Sequence, residues 1–508
     1  MGKMNSNRLS PSLRQILSFW ALAGFSILFI LPSARLWFQQ PLQLIEFEFE
    51  YFLGLFANLA IESQLPVIAA DKLIHFFGFL LIGVLYAICV EQVRRDPHLY
   101  SWRFLIGFAA ILCGAFTLAM PWVSPDVFFY IGMGWLDGHY GLSPYLHKMS
   151  EIPRFYAEEM FQNVYPGFLH GPTSYGPLFQ WLAKWIAILS GGNELIALAL
   201  HKVLYLIIHG IACLLMVRLV PDADTKWTFL FYACNPLILF SILACSHNDH
   251  LMTLFVLAAF MLRQARRPLL CGAALGTAFT IKYIPILLLP LFFLDLILNR
   301  GASAPWRQRL IQGLSLGGGF MLTVLAFYSL YPEGALQFIR IIGLDHWLLA
   351  GGSATSGEGG GIGVYRNSIY FLLQTVSYAE MKAFYLAAYA ALLAWLVVRA
   401  QVNKPISLAS ASLACYLIYF LTLNQTNQEW YLTWIIPFIP LIGTAESRRF
   451  AYQISAVFMP VIIFTIKNPP AVALVANVIG YMIILCFSII LLLRSMAIQN
   501  PPVLGTNY

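Results

Sequence analysis

Residues 227–262 read WTFLFYACNPLILFSILACSHNDHLMTLFVLAAFML. Two apolar runs, 227–244 and 251–262, flank one polar stretch, Ser246 to His250. A run of about 20 apolar residues suffices for a membrane-crossing helix, and shorter runs can pair as broken helices. Ionisable groups at the end of such a run are costly unless they are solvated, paired or functional. The pattern recurs on both sides. Further apolar runs lie near 16–32, 73–92, 103–121, 196–217, 269–280, 284–298, 310–330, 382–399, 406–422, 430–442, 450–466 and 471–493. They predict an all-α, polytopic transmembrane helix bundle of about 13–14 spans, some short or broken.

Composition agrees. Of 508 residues, 60% are hydrophobic and only 10% charged, against roughly 25% charged in soluble domains. The net charge of +7 comes in short clusters between apolar runs, which is membrane topology and argues against nucleic acid as a partner. The eight cysteines have no framework spacing and no CxxC, so neither disulfides nor a cysteine metal site is expected. The run at 16–32 follows Lys3, Arg8 and Arg14 and lacks a small-residue cleavage site, so it is expected to remain as a first span.

Placing the N-terminus inside puts Arg94/Arg95/Arg103, Arg218/Lys226, Arg263/Arg266/Arg267, Arg300/Arg307/Arg309, Arg399/Lys404, Arg448/Arg449 and Arg494 on the same inner face, as the positive-inside rule requires. The outer face then receives 33–72, 122–195, 245–250, 331–381, 423–429 and 467–470. The chain divides into N-terminal spans (1–121), an outer loop with interfacial helices (122–195) and a bundle completing the site (196–508). Residues 177–190 read as a helix at the outer interface, with Trp181 and Trp185 at that depth and Lys184 snorkelling. The Gly-rich 351–363 is expected to be a mobile outer loop, either a lid or a linker.

Four polar clusters fall on the outer face. Asp126 follows a helix-stopping proline, where a low-dielectric wall can raise a carboxyl toward the range useful for a base; capping a helix over 127–136 is the alternative. His247, Asn248, Asp249 and His250 could bind hydroxyls, phosphate or a divalent ion, although consecutive residues cannot all face one ion. Lys282, beside the helix-breaking Pro285, suits a lipid phosphate. Gln425, Asn427, Gln428 and Glu429, with Trp430 and Tyr431, join hydrogen-bonding groups to stacking surfaces, as a sugar site does.

These residues resemble the GT-C superfamily of integral membrane glycosyltransferases, and most closely the bacterial polyprenyl-phosphate-mannose-dependent α-mannosyltransferases. The strings that carry the likeness occur in order over about 120–440: Asp126-Val-Phe-Phe-Tyr130, His139-Tyr-Gly-Leu-Ser-Pro-Tyr145, Tyr175-Gly-Pro-Leu178, His247-Asn-Asp-His-Leu-Met252 and Gln428-Glu-Trp-Tyr-Leu-Thr-Trp434. The resemblance implies a polyprenyl-phosphate sugar donor, a glycan or glycolipid acceptor, inversion at the anomeric carbon, and a site on the non-cytoplasmic face of a bacterial inner membrane. Asp126 would match the catalytic base and Asp249 a second acidic residue of the site. Lys282 would match a basic residue that meets the donor phosphate; apart from the resemblance, Arg340 or Arg366 of the outer loop is a candidate to assist it. Tyr130, Tyr145, Tyr175, His247, Asn248, Gln428, Trp430 and Tyr431 are the expected substrate contacts.

The sequence departs from the family pattern at Ser124, where an acidic residue is usual. That weakens the case for a divalent metal, so the cofactor is left open. The catalytic loop follows the third span rather than the first, and the extra spans carry a VanZ-like segment (Asp71–Gly83) from which no function is drawn. A transporter or lipid flippase is the alternative, since broken helices and buried polar groups also suit that class.

Overall fold

The computed structural model describes residues 11–34, 67–121, 124–298, 305–341, 378–401, 407–422 and 429–442. Among them there is helix and no strand. In chain order the helices are α1 (Pro11–Ala34), α2 (Val67–Arg95), α3 (Trp102–Leu118), α4 (Asp126–Gly138), α5 (Pro177–Leu189), α6 (Glu194–Leu219), α7 (Thr225–Ala233), α8 (Asp249–Gln264), α9 (Pro268–Phe279), α10 (Leu289–Leu298), α11 (Trp306–Tyr328), α12 (Glu333–Ile341), α13 (Tyr378–Gln401) and α14 (Leu408–Thr422). Among the described residues, four helical stretches, Glu194–Leu219, Asp222–Ala244, Trp306–Tyr328 and Ala383–Ala400, are long and apolar enough to cross a membrane, and shorter apolar helices accompany them. The protein is an all-α helical membrane protein. The expected spans 450–466 and 471–493, the loop 351–363, Gln425, Asn427, Gln428, Arg366 and the side chains of Arg340 and Glu429 lie outside the described residues.

Helix α6 shows why lipid is the solvent. Ile196, Val203, Ile207, Ile211 and Leu214 point outward, while His201, Lys202, Tyr205 and His209 are buried. Polar residues inside and apolar residues outside, at helical spacing, invert the arrangement of a water-soluble helix.

Two interruptions shape the bundle near the site. After α7, Asn235 accepts from the amides of Leu237 and Ile238, with Pro236 opening the new turn. The chain then runs as a π-helical segment, Leu239–Ala244, a form frequent at functional sites. The expected span 430–442 is a 3-10 segment, Glu429–Trp434, followed by the short helix Phe438–Ile442. Its buried aromatics support the site from within the bundle rather than forming one continuous helix.

Helices α9 and α11 touch backbone to backbone. A Cβ added at Gly272 would run into the Leu316 carbonyl, and one at Gly319 into the Leu269 carbonyl. Successive spans alternate direction, so Asp126, His247–Asp249, Lys282 and Trp430–Trp434 share one end of the bundle. Arg94, Arg95, Arg218, Lys226, Arg263, Arg309 and Arg399 share the other.

Candidate active site

Asp126 is the first residue of α4. No side chain caps that helix, and the carboxylate instead accepts from Ser124 Oγ at 3.1 Å. The capping alternative therefore fails. Residues 127–136 nevertheless form an ordered helix, buried along most of its length where α5 packs against it. Asp249 likewise opens α8 without capping it. Two helix N-termini, each with a carboxylate at its first position, converge on one pocket.

The carboxylates differ in setting. The Asp249 side chain is fully buried, whereas that of Asp126 keeps 14% exposure, so Asp126 is the one a ligand can reach. Asp249 Oδ1 accepts from Lys282 Nζ at 2.7 Å and from Trp434 Nε1 at 2.5 Å. Its Oδ2 has no partner among the described residues. The Lys282 ammonium lies 4.6 Å from the Tyr431 ring centroid and 5.1 Å from that of Trp434, within cation–π range. One of its three N–H groups is engaged by Asp249, and the aromatic faces hold the rest of the head in place.

Burial pushes the Asp126 carboxyl up to about 6, and the nearby Asp249 charge adds to the push, while the Ser124 bond and the Lys282 charge work against it. His247 Nδ1 lies 3.6 Å from Asp126 Oδ2. Burial, aided by the Lys282 charge, holds this imidazole well below its ordinary value, so the contact joins a neutral ring to the carboxylate. The His247 ring stacks on Trp430 at 3.9 Å between centroids. Both ring nitrogens of His247, both amide atoms of Asn248 and Asp249 Oδ2 are buried and without a hydrogen-bond partner among the described residues. Such groups are normally hydrogen-bonded, so this cluster holds unused hydrogen-bonding capacity directly behind Asp126.

The other expected residues divide. Tyr130 and Tyr175 pack edge to face at 5.1 Å and lie close enough to feel both carboxylates; burial pushes both phenols well up. Tyr145 sits one layer back. Its hydroxyl donates to the Tyr175 carbonyl at 2.8 Å while its ring packs on Tyr331, so it buttresses Tyr175. His250 turns away, with Nε2 3.1 Å from His209 Nδ1. Lys184 does not snorkel: it pairs with Asp137 at 2.9 Å, and Asp137 also accepts from Tyr331 at 2.5 Å. These bonds tie α5 and the start of α12 to α4.

Three features went unassigned from sequence. Trp434 contacts Asp249, Ser124 holds Asp126, and the Tyr175-Gly-Pro string acts as a strap. Gly176 N donates to Ile281 O and Leu178 N to Thr280 O, both at 3.0 Å, directly before Lys282. A Cβ at Gly176 would strike the Thr280 carbonyl. Among the described residues, no group of three or more His, Cys, Asp or Glu is placed to hold a metal ion.

Comparison with known proteins upholds the resemblance read from the motifs. Residues 55–298 match the family model described as alpha-(1->6)-mannopyranosyltransferase, N-terminal domain. The chain is 31% identical over 163 residues to a probable alpha-(1->6)-mannopyranosyltransferase of Mycolicibacterium smegmatis, covering 30% of this chain and 28% of the relative. It is 29% identical over 141 residues to an alpha-(1->6)-mannopyranosyltransferase of Mycobacterium tuberculosis, covering 27% and 23%. It is 24% identical over 174 residues to alpha-(1->6)-mannopyranosyltransferase A of Corynebacterium glutamicum, covering 34% of each. The matched stretches thus span about a quarter to a third of these relatives. No solved structure matches the chain.

Proposed function

We propose that the protein is an inverting membrane mannosyltransferase. It takes its sugar from a polyprenyl-phosphate carrier and delivers it to a hydroxyl of a glycan or glycolipid acceptor, on the non-cytoplasmic face of a bacterial inner membrane. The observation that carries the reading is the meeting of an open carboxylate, Asp126, with the buried Lys282–Asp249 pair and an aromatic wall at one membrane end. Similarity to mannopyranosyltransferases supports the sugar. The position opposite the basic residues supports the face.

Asp126 takes the proton of the acceptor hydroxyl, and the oxygen attacks the anomeric carbon from the side opposite the carrier. The bond between that carbon and the phosphate oxygen breaks, and the lipid phosphate leaves with the electron pair. Lys282 stabilises the leaving charge, held in position by Asp249 and by the rings of Tyr431 and Trp434. A phosphate is a good leaving group, so no general acid is required. His247 and Asn248 bind sugar hydroxyls, with Trp430 beneath His247 as a platform. Positioning and charge stabilisation supply what proton transfer does not.

The experiment supplies purified protein with radiolabelled polyprenyl-phosphate mannose or a nucleotide-linked mannose, plus a lipid-linked mannoside acceptor. Transfer from the polyprenyl donor alone, lost in Asp126→Asn, is expected. Transfer from the nucleotide sugar, or full activity in Asp126→Asn, overturns the proposal.

A further inference from the structure

Lys202 lies within the spanning helix α6 with only 1% of its surface exposed. A lysine in a membrane span ordinarily snorkels to the interface. This one turns inward, and among the described residues no carboxylate pairs with it. Its Nζ donates instead to three main-chain carbonyls, Ala119 at 2.6 Å, Ala244 at 2.7 Å and Leu243 at 3.1 Å. Three acceptors match the three N–H groups of an ammonium, whereas a neutral amine has two.

The three carbonyls belong to two helix ends. Ala119 is the cap residue at the C-terminus of α3, and Leu243 and Ala244 close the π-helical segment. Terminal carbonyls lack partners within their own helix and carry its negative end, where a cation is favourable. A single buried lysine head group therefore fastens two helix termini to each other. The chain leaving Ala119 leads directly to Asp126, and the chain leaving Ala244 leads through Ser246 and His247 to Asp249. That second connector is constrained, because Ser246 has φ of 59°, a left-handed conformation that a non-glycine residue keeps only where its surroundings impose it.

We infer that Lys202 is a positioning residue, which sets the distance of Asp126 from His247 and Asp249 by joining the helix ends from which both loops spring. What the carboxylates do rests on the mannosyltransferase reading; the joining does not. Lys202 touches neither carboxylate and belongs to none of the sequence strings that mark the site.

The test uses the full chain in lipid nanodiscs, as wild type, Lys202→Met and Lys202→Gln. Hydrogen exchange followed by mass spectrometry reads the geometry. Turnover with polyprenyl-phosphate mannose reads its consequence. In Lys202→Met, exchange rises together in 119–128 and 244–252 while 268–279 and 306–328 keep their wild-type protection. In the same variant kcat falls about 10²-fold, the scale expected of a small misplacement, and the donor KM, set by Lys282, stays within about threefold. Lys202→Gln keeps two N–H donors and falls between the two, and it carries both readouts should Lys202→Met not fold. Exchange rising everywhere or in one segment only, or kcat and KM changing in parallel, overturns the inference. A wild type inert toward the donor removes the mannosyltransferase reading alone, and the exchange pattern then decides the joining by itself.

Discussion

Lys282 and Asp249 meet at 2.7 Å, with the carboxylate fully buried and the ammonium nearly so. Removing one member of such a pair leaves an uncompensated buried charge. Lys282→Met and Asp249→Asn should each destabilise the protein by about 3–5 kcal/mol, read as the midpoint of denaturant or thermal unfolding. The double variant should lose clearly less than the sum, because neither charge is then left alone. Additive losses would show that the two groups do not depend on each other.

Asp126 titrates near 6, above its unfolded value of about 3.9. In the proposed mechanism Asp126 acts as the base and must be ionised, so kcat should fall on acidification through about pH 6. The stability effect has the opposite sign. The native state holds the Asp126 proton more tightly than the unfolded chain, so this contribution is complete below about 3.9 and is lost as pH rises through about 6. Asp126→Asn should therefore lower transfer by at least about 10²-fold while melting at neutral pH no lower than wild type. A pH-independent rate between about 5 and 7 in the wild type would remove Asp126 from the base role.

Gly176→Ala places a methyl against the Thr280 carbonyl and forces the strap away from the segment preceding Lys282. A loss of about 1–3 kcal/mol in unfolding free energy is expected, as for other overpacked sites, together with a raised donor KM. Gly210→Ala is the control. Its methyl would meet nothing within 4 Å, and it should stabilise α6 by about 0.5–1 kcal/mol.

Trp434→Phe keeps a ring beside Lys282 but deletes the indole N–H that Asp249 Oδ1 accepts at 2.5 Å. A hydrogen bond to a charged group contributes about 1.5–3 kcal/mol, so thermal unfolding should register a loss of that size. Trp430→Ala instead removes the platform under His247. It should reduce turnover more than stability, as a comparison of kcat with the melting point would reveal.

The spans were legible because lipid demands continuous apolar runs, and within the described residues each expected run falls on a helical element. The polar clusters were legible for the complementary reason: Asp126, His247–Asp249 and Lys282 stand where polarity is costly. Contacts across the chain were not. Nothing local to Tyr175-Gly-Pro reveals that it bonds Thr280 and Ile281, and nothing local to Lys184 reveals Asp137 as its partner. His250 has the same sequence neighbourhood as His247 yet faces His209, because its position on α8 turns it to another side. Lys202 did leave a signal, a single lysine in the middle of an apolar run. Its meaning emerges only when two other helix ends are brought to it.

The glycines that let α9 and α11 lie flush make these two helices a single plank. Lys282 is carried just beyond the tip of that plank, with a backbone strap across its root. An anchor of this kind has little freedom to swing out and fetch a cargo. On the proposed function, a lipid-borne donor has to bring its headgroup to this fixed point rather than be met by a moving lysine.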